Sequence, residues 1–205
     1  MNECHIDLEL SPRDRLMNGF AYAIAEKGYI DTTIADIVRY ARVSKRTFYQ
    51  HFVDKKDCLL HCYHETSLNS LEGVQAAIDH ARGLSDDLQQ HLQHGVMAFL
   101  TYMRVRPRYM QILMSEVLLV DQNGIQLRRD IMNRFSHLLQ HIVTGLPFSD
   151  MQFDRQPPLI TTAMVGAINE LVLVAFEHNQ PEMFDSIQDT IHGMLLSLLQ
   201  HSETT

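Results

Sequence analysis

Apolar residues recur at helical spacing along nearly all of the 205-residue chain. Leu16, Phe20, Ala23 and Ile24 share one side of a 3.6-residue period that opens at Ser11-Pro12 and stops at Gly28, which predicts a helix from about 12 to 27. Thr33 then caps a short segment with Ile34, Ile37, Val38 and Ala41 turned inward, ending near Arg42. Ser44 caps a second short segment, from Lys45 to about His51, in which Phe48 and Phe52 meet one turn apart. Asp54 caps a long helix that runs to about 80. Beyond it Ser85 opens 86–104, Pro107 opens a helix to about 120 and Gly124 precedes one to about 144. Pro157-Pro158 precedes a helix to about 179, and Pro181 opens the last, to about 201. No segment alternates as a strand would, so the pattern predicts an all-α fold of about nine helices, with loops at Gly28 to Asp31 and Gly145 to Gln156.

Composition is ordinary for a globular chain, with 45% hydrophobic and 20% charged residues. The N-terminus lacks a basic leader, and the apolar stretch 163–176 is interrupted by Asn169 and Glu170, so a cytosolic location and no membrane partner are expected. Three cysteines, Cys4, Cys58 and Cys62, form no complete disulfide framework. Net charge is −8, yet six Lys or Arg stand against the single acid Asp54 between Arg39 and Lys56. Residues 57–205 hold eight Arg and seventeen acids, so only the basic stretch is fitted to meet a polyanion.

That stretch coincides with the two short helices. Joined by the turn Ala41-Arg42-Val43-Ser44, they form a helix-turn-helix whose second helix can enter a major groove about 12 Å wide. With Phe48 and Phe52 facing inward, Arg46 and Gln50 point furthest outward, Thr47 and Tyr49 flank them, and Lys45 leads. Lys45 and Arg46 suit guanine edges or phosphates, Thr47 a base, and Tyr49 and His51 phosphate oxygens. Lys55, in the first turn of the long helix, is a further phosphate candidate.

Residues 11–60 resemble the DNA-binding domain of the TetR family of transcriptional repressors. The resemblance rests on Gly28, Thr32-Thr33, Val43-Ser44, Thr47-Phe48-Tyr49, His51-Phe52, Lys55 and Leu59. It implies phosphate contacts from Thr33, Ser44, Tyr49, His51 and Lys55, and base contacts from Lys45, Arg46 and Thr47. Arg42 departs from the family pattern, which often has glycine in this turn. A residue with a Cβ is penalised at φ > 0, so the turn is expected to take another conformation and shift the recognition helix. Residues 1–53 are then a DNA-binding domain and 54–205 a helical ligand-binding and dimerisation domain.

Reading a palindrome takes two recognition helices one DNA turn apart, so a homodimer on a double-stranded DNA operator is expected. The last two helices offer apolar stripes for the interface: Ala163, Ala167 and Leu171 on one, Ile191, Leu195 and Leu198 on the other. The same stripes could serve the monomer core instead. Phe99, Met103, Met110, Met114, Leu118 and Phe176 form an aromatic and Met-rich set that suits a small apolar or amphipathic effector, or simply a core. The resemblance implies such an effector, of unknown identity. Cys58, His61, Cys62 and Glu65 have one-turn spacing compatible with a metal or a redox pair, and equally with packing; His137 and His141 form a similar pair. No phosphate loop or nucleophile elbow is present, so no cofactor, metal or catalytic residue is assigned. The leading reading is a ligand-released repressor; the competing one is an architectural or cell-division factor on the same scaffold without an inducer.

Overall fold

A computed structural model of the chain describes residues 9–144, 156–178 and 181–202. Among them run nine helices and no strand: α1 Pro12–Lys27, α2 Ile34–Ala41, α3 Lys45–His51, α4 Lys55–Arg82, α5 Leu88–Val105, α6 Pro107–Val120, α7 Gln122–Thr144, α8 Leu159–His178 and α9 Pro181–Ser202. The all-α fold expected from the sequence is therefore the fold observed. Cys4, the side chain of Leu198 and most of the predicted Gly145 to Gln156 loop lie outside the described residues.

The chain forms two compact units by contact, Met1–Thr66 with Arg106–Leu127 and Ser67–Val105 with Arg128–Thr205. This division by packing does not follow the 53/54 boundary expected from the sequence, since Arg106–Leu127 joins the N-terminal residues. In the first unit α1 lies against α2 so closely that a Cβ on Gly19 would come within 2.6 Å of the Ile37 carbonyl oxygen. Glycine is required there by approach, and it brings Leu16, Phe20 and Ile24 onto Ile37 and Ala41, all fully buried. Cys58, Leu59 and Cys62 at the start of α4 are buried in the same unit, as are Tyr109, Met110, Ile112, Leu113 and Val117 of α6.

One predicted boundary moves. Gly124 does not precede the seventh helix but lies inside it, where a Cβ would stand 2.1 Å from the Val117 oxygen. The start is set instead by Asp121, whose carboxylate accepts from the Asn123 and Gly124 N–H groups at 2.9 and 3.2 Å.

In the second unit α9 packs on α5 and α8. Phe176 and Phe184 meet edge to face at 5.6 Å, and Val165, Val172, Ile187, Ile191 and Leu195 are buried. The far side of α8 is not covered: Leu159 is 87% exposed, Ile160 is 55% exposed, and Ala163 also faces out. In length and composition α8 is as apolar as a membrane span, a property that core helices of folded proteins share, and Asn169 and Glu170 stand at its middle.

Candidate nucleic-acid interface

The helix-turn-helix is built from local chemistry. Thr33 accepts from the Asp36 N–H and Asp36 accepts from the Thr33 N–H, a reciprocal cap that starts α2. The Asp36 carboxylate also takes Lys27 Nζ at 2.6 Å and lies 3.7 Å from Arg39. The Lys27 hydrogen bond is the largest cause holding its pKa well below the usual carboxylate range. Ser44 caps α3 by accepting from the Thr47 N–H at 3.0 Å.

Between the two helices Arg42 has φ 52° and ψ 46°, the sole positive-φ non-glycine residue described. Its N–H reaches the Arg39 and Val38 oxygens, and the Val43 N–H reaches the Val38 oxygen at 3.1 Å. The expectation of a different turn conformation is thus corrected. The left-handed turn is kept with arginine in it, at a cost of about 1–2 kcal/mol relative to glycine.

Phe48 is fully buried and Phe52 nearly so, their ring centroids 5.6 Å apart, and the His61 ring on α4 stands against Phe52 at 5.4 Å. With that side of α3 fixed, the opposite side must face water. Lys45, Arg46, Gln50 and His51 are exposed, Tyr49 is 59% exposed, and Thr47 is half-buried on the flank. The Ser44 and Thr47 hydroxyls lie 2.9 Å apart, so one proton is used between them and the other can serve an outside acceptor. The arrangement matches the sequence expectation for α3: a helix pinned by phenylalanines, its cationic, amide and phenolic groups free.

Two expected site residues, and one further lysine of the basic stretch, are differently engaged. Lys55 Nζ donates to the main-chain oxygens of Tyr29, Ile30 and Thr32 at 2.7, 3.1 and 2.8 Å, and sits 4.4 Å from the centre of the Tyr29 ring. An ammonium has three donors, and all three are used, so Lys55 holds the α1–α2 loop in place of the phosphate the sequence suggested. Partial burial there pushes its own pKa down. Thr33 donates its hydroxyl to Asp36 at 2.7 Å and would have to exchange that bond to meet a phosphate. Lys56, part of the basic stretch, is paired with Asp121 at 2.7 Å. Six cations in sequence thereby reduce to Arg42, Lys45 and Arg46, for which no carboxylate partner occurs among the described residues.

Sequence reasoning missed a neighbouring ladder. Arg39 lies over Tyr40 at 4.5 Å, Tyr40 stacks on Tyr22 at 6.2 Å, and Arg106 lies 5.7 Å from Tyr22. Tyr40 also bonds Glu26, and Arg106 bonds Asn18 at 3.2 Å. Of this region only Thr33, as the cap of α2, was read from the sequence; the ladder joins residues too far apart along the chain.

The other candidates separate. Phe99, Met103 and Phe176 belong to the second unit, while Met110, Met114 and Leu118 belong to the first. Leu118 is 40% exposed and does not line an interior. Ala163, Ala167 and Leu171 are exposed or half-buried on α8, but Ile191 and Leu195 are 0% and 2% exposed. Those two serve the chain's own core and are withdrawn from the interface set. Cys58 and Cys62 are free and buried, and burial is the main cause raising the Cys58 thiol well above its ordinary value, which makes it a poor ligand or redox centre. His61 bonds the Asp57 carbonyl at 2.9 Å and Glu65 pairs with Arg13 at 3.3 Å. No group of three His, Cys, Asp or Glu able to hold a metal occurs among the described residues.

Comparison with known proteins agrees with this geometry. Residues 22–62 match the family model "Bacterial regulatory proteins, tetR family". No curated protein sequence matches the chain. Among solved structures, the fatty acid degradation regulator FadR from Bacillus halodurans superposes with a TM-score of 0.71 at 17% identity, over 89% of this chain and 97% of that one. FadR from Bacillus subtilis, in complex with stearoyl-CoA, gives 0.70 at 17% over 90% and 97%. The TetR family regulator PfmR from Thermus thermophilus gives 0.57 at 19% over 89% and 97%. The fold is shared with these regulators.

Proposed function

We propose that this chain, whose residues 22–62 carry the helix-turn-helix module of the tetR family of bacterial regulatory proteins, is a DNA-binding transcriptional repressor acting as a homodimer on a palindromic operator. The observation that carries the reading is α3 itself: Phe48 and Phe52 bind it to the body, and Lys45, Arg46, Tyr49 and Gln50 are left exposed beside Arg42 with no acid between Tyr40 and Val53. Lys45 and Arg46 are suited to base edges or phosphates, and Ser44, Thr47, Tyr49 and His51 to phosphates and flanking bases.

A single α3 reads one half-site. Two must stand about 34–36 Å apart to read successive major grooves, and the uncovered α8 face around Ala163, Ala167 and Leu171 is where a second copy would sit. An apolar helix side of this size needs a cover of matching chemistry, and an identical side related by a two-fold axis supplies one.

Release of the operator by a small apolar or amphipathic effector completes the proposal, with Phe99, Met103 and Phe176 as its candidate contacts in the second unit. The Bacillus subtilis relative holds stearoyl-CoA, so a long-chain acyl-CoA is the first effector to try. The test is selection of duplexes from a random library, followed by footprinting. The expected result is one enriched inverted repeat whose half-site centres are about 10 base pairs apart, protected by the protein and released on adding effector. Enrichment of no sequence would refute the reading, and dispersed sites unaffected by any effector would favour an architectural factor.

A further inference from the structure

Arg42 stands where the backbone favours glycine, and nothing within the fold rewards the arginine. Its φ of 52° lies in the left-handed region, where a Cβ crowds the following carbonyl oxygen and glycine does not. The turn is fixed by main-chain bonds, from the Arg42 N–H to the Arg39 and Val38 oxygens and from the Val43 N–H to the Val38 oxygen, which any residue but proline could make. The side chain is exposed, and no carboxylate among the described residues pairs with it. Two positions on, Ser44 caps α3, and Lys45 and Arg46 follow, so Arg42 opens a continuous exposed edge of cations and hydroxyls. A backbone penalty retained at an exposed, unpaired guanidinium points to an external partner. The partner must be anionic, and a planar guanidinium forks onto two phosphate oxygens more readily than an ammonium does.

We infer that Arg42 is a DNA contact of this protein, its guanidinium seated on a backbone phosphate at the edge of the groove that α3 enters. This rests on the DNA-binding reading and adds a residue to it. The contact is held by the turn, not by α3, so it reports no sequence and anchors the leading end of the recognition helix.

The test sets two measurements against each other in one variant. Arg42→Gly should raise the melting midpoint by about 2–4 °C, because glycine holds the turn without penalty. The same variant should lose roughly tenfold in affinity for the selected duplex and for a random one alike, and its slope of log affinity against log salt should fall by about 0.9 per recognition helix. Arg42→Lys should keep the slope. Unchanged affinity and slope in Arg42→Gly would overturn the inference, as would a loss confined to the selected duplex, which would mark a base contact. If Arg46→Ala weakens binding while Arg42→Gly does not, the DNA-binding reading stands and the Arg42 contact falls. A wild-type chain with no affinity for either duplex would remove both.

Discussion

Helices α3 and α8 are both half-covered, and they differ in what the open half is made of. On α3 the covered side is two phenylalanines and the open side carries Lys45, Arg46, Tyr49 and Gln50. On α8 the covered side is Val165, Val172, Ala175 and Phe176, and the open side is again apolar, from Leu159 and Ile160 through Ala163. Amphipathicity marks an element complete in water, whereas a helix apolar all round is waiting for more protein. The first is thus finished as a surface and ready for a polyanion. The second leaves Leu159, Ile160 and Ala163 exposed beside Thr162 and Glu170, on the face proposed above for a second copy.

The sharpest way to break that contrast is to place a charge on each side of the α8–α9 pair. Leu195→Asp puts a carboxylate at a position 2% exposed and should destabilise the chain by more than about 4 kcal/mol, read as loss of the cooperative melt. Ala167→Arg, on the open side, should leave the monomer folded and abolish the dimer in sedimentation, with loss of the full operator footprint. A dimer surviving Ala167→Arg would move the interface off α8. On α3, Phe48→Ala should cost about 3–5 kcal/mol of stability, since the ring is fully buried. Arg46→Ala should leave stability unchanged and weaken binding of the selected duplex over random DNA by about 1–3 kcal/mol if one bidentate base contact is lost. The smallest expected effect is also the most discriminating. Lys55→Met should lower stability by about 1–2 kcal/mol, by removing the ammonium donor from the Tyr29, Ile30 and Thr32 oxygens, while the salt slope of binding stays at its wild-type value. A slope reduced by about one per recognition helix would return Lys55 to the phosphate set.

Local chemistry was legible in the sequence, and long-range partnership was not. Ser11, Thr33 and Ser44 were readable as caps because a cap is made within three residues, and each accepts the N–H expected of it. Periodicity likewise placed Phe48 and Phe52 inside. Gly124 misled because the same residue that ends a helix also permits two helices to touch, and only the Val117 oxygen distinguishes the cases. Lys55 misled for a related reason: a lysine at a helix start is positioned for a phosphate, but three carbonyls from residues 23 to 26 positions earlier reach it first. Ile191 and Leu195 had the right spacing for an interface and the wrong side of the helix. A stripe fixes which residues share a face, not what that face meets.

Within the basic stretch 39–56, Arg42, Lys45 and Arg46 are left without a carboxylate partner among the described residues, while residues 57–205 hold eight Arg against seventeen acids, and this asymmetry has a kinetic consequence. A duplex meeting the acidic residues 57–205 is repelled and one meeting the basic stretch is attracted, so encounters that lead to the proposed complex favour α3 and misoriented ones separate quickly. Residence on random DNA should accordingly be brief, with the search proceeding by repeated short visits in place of prolonged sliding.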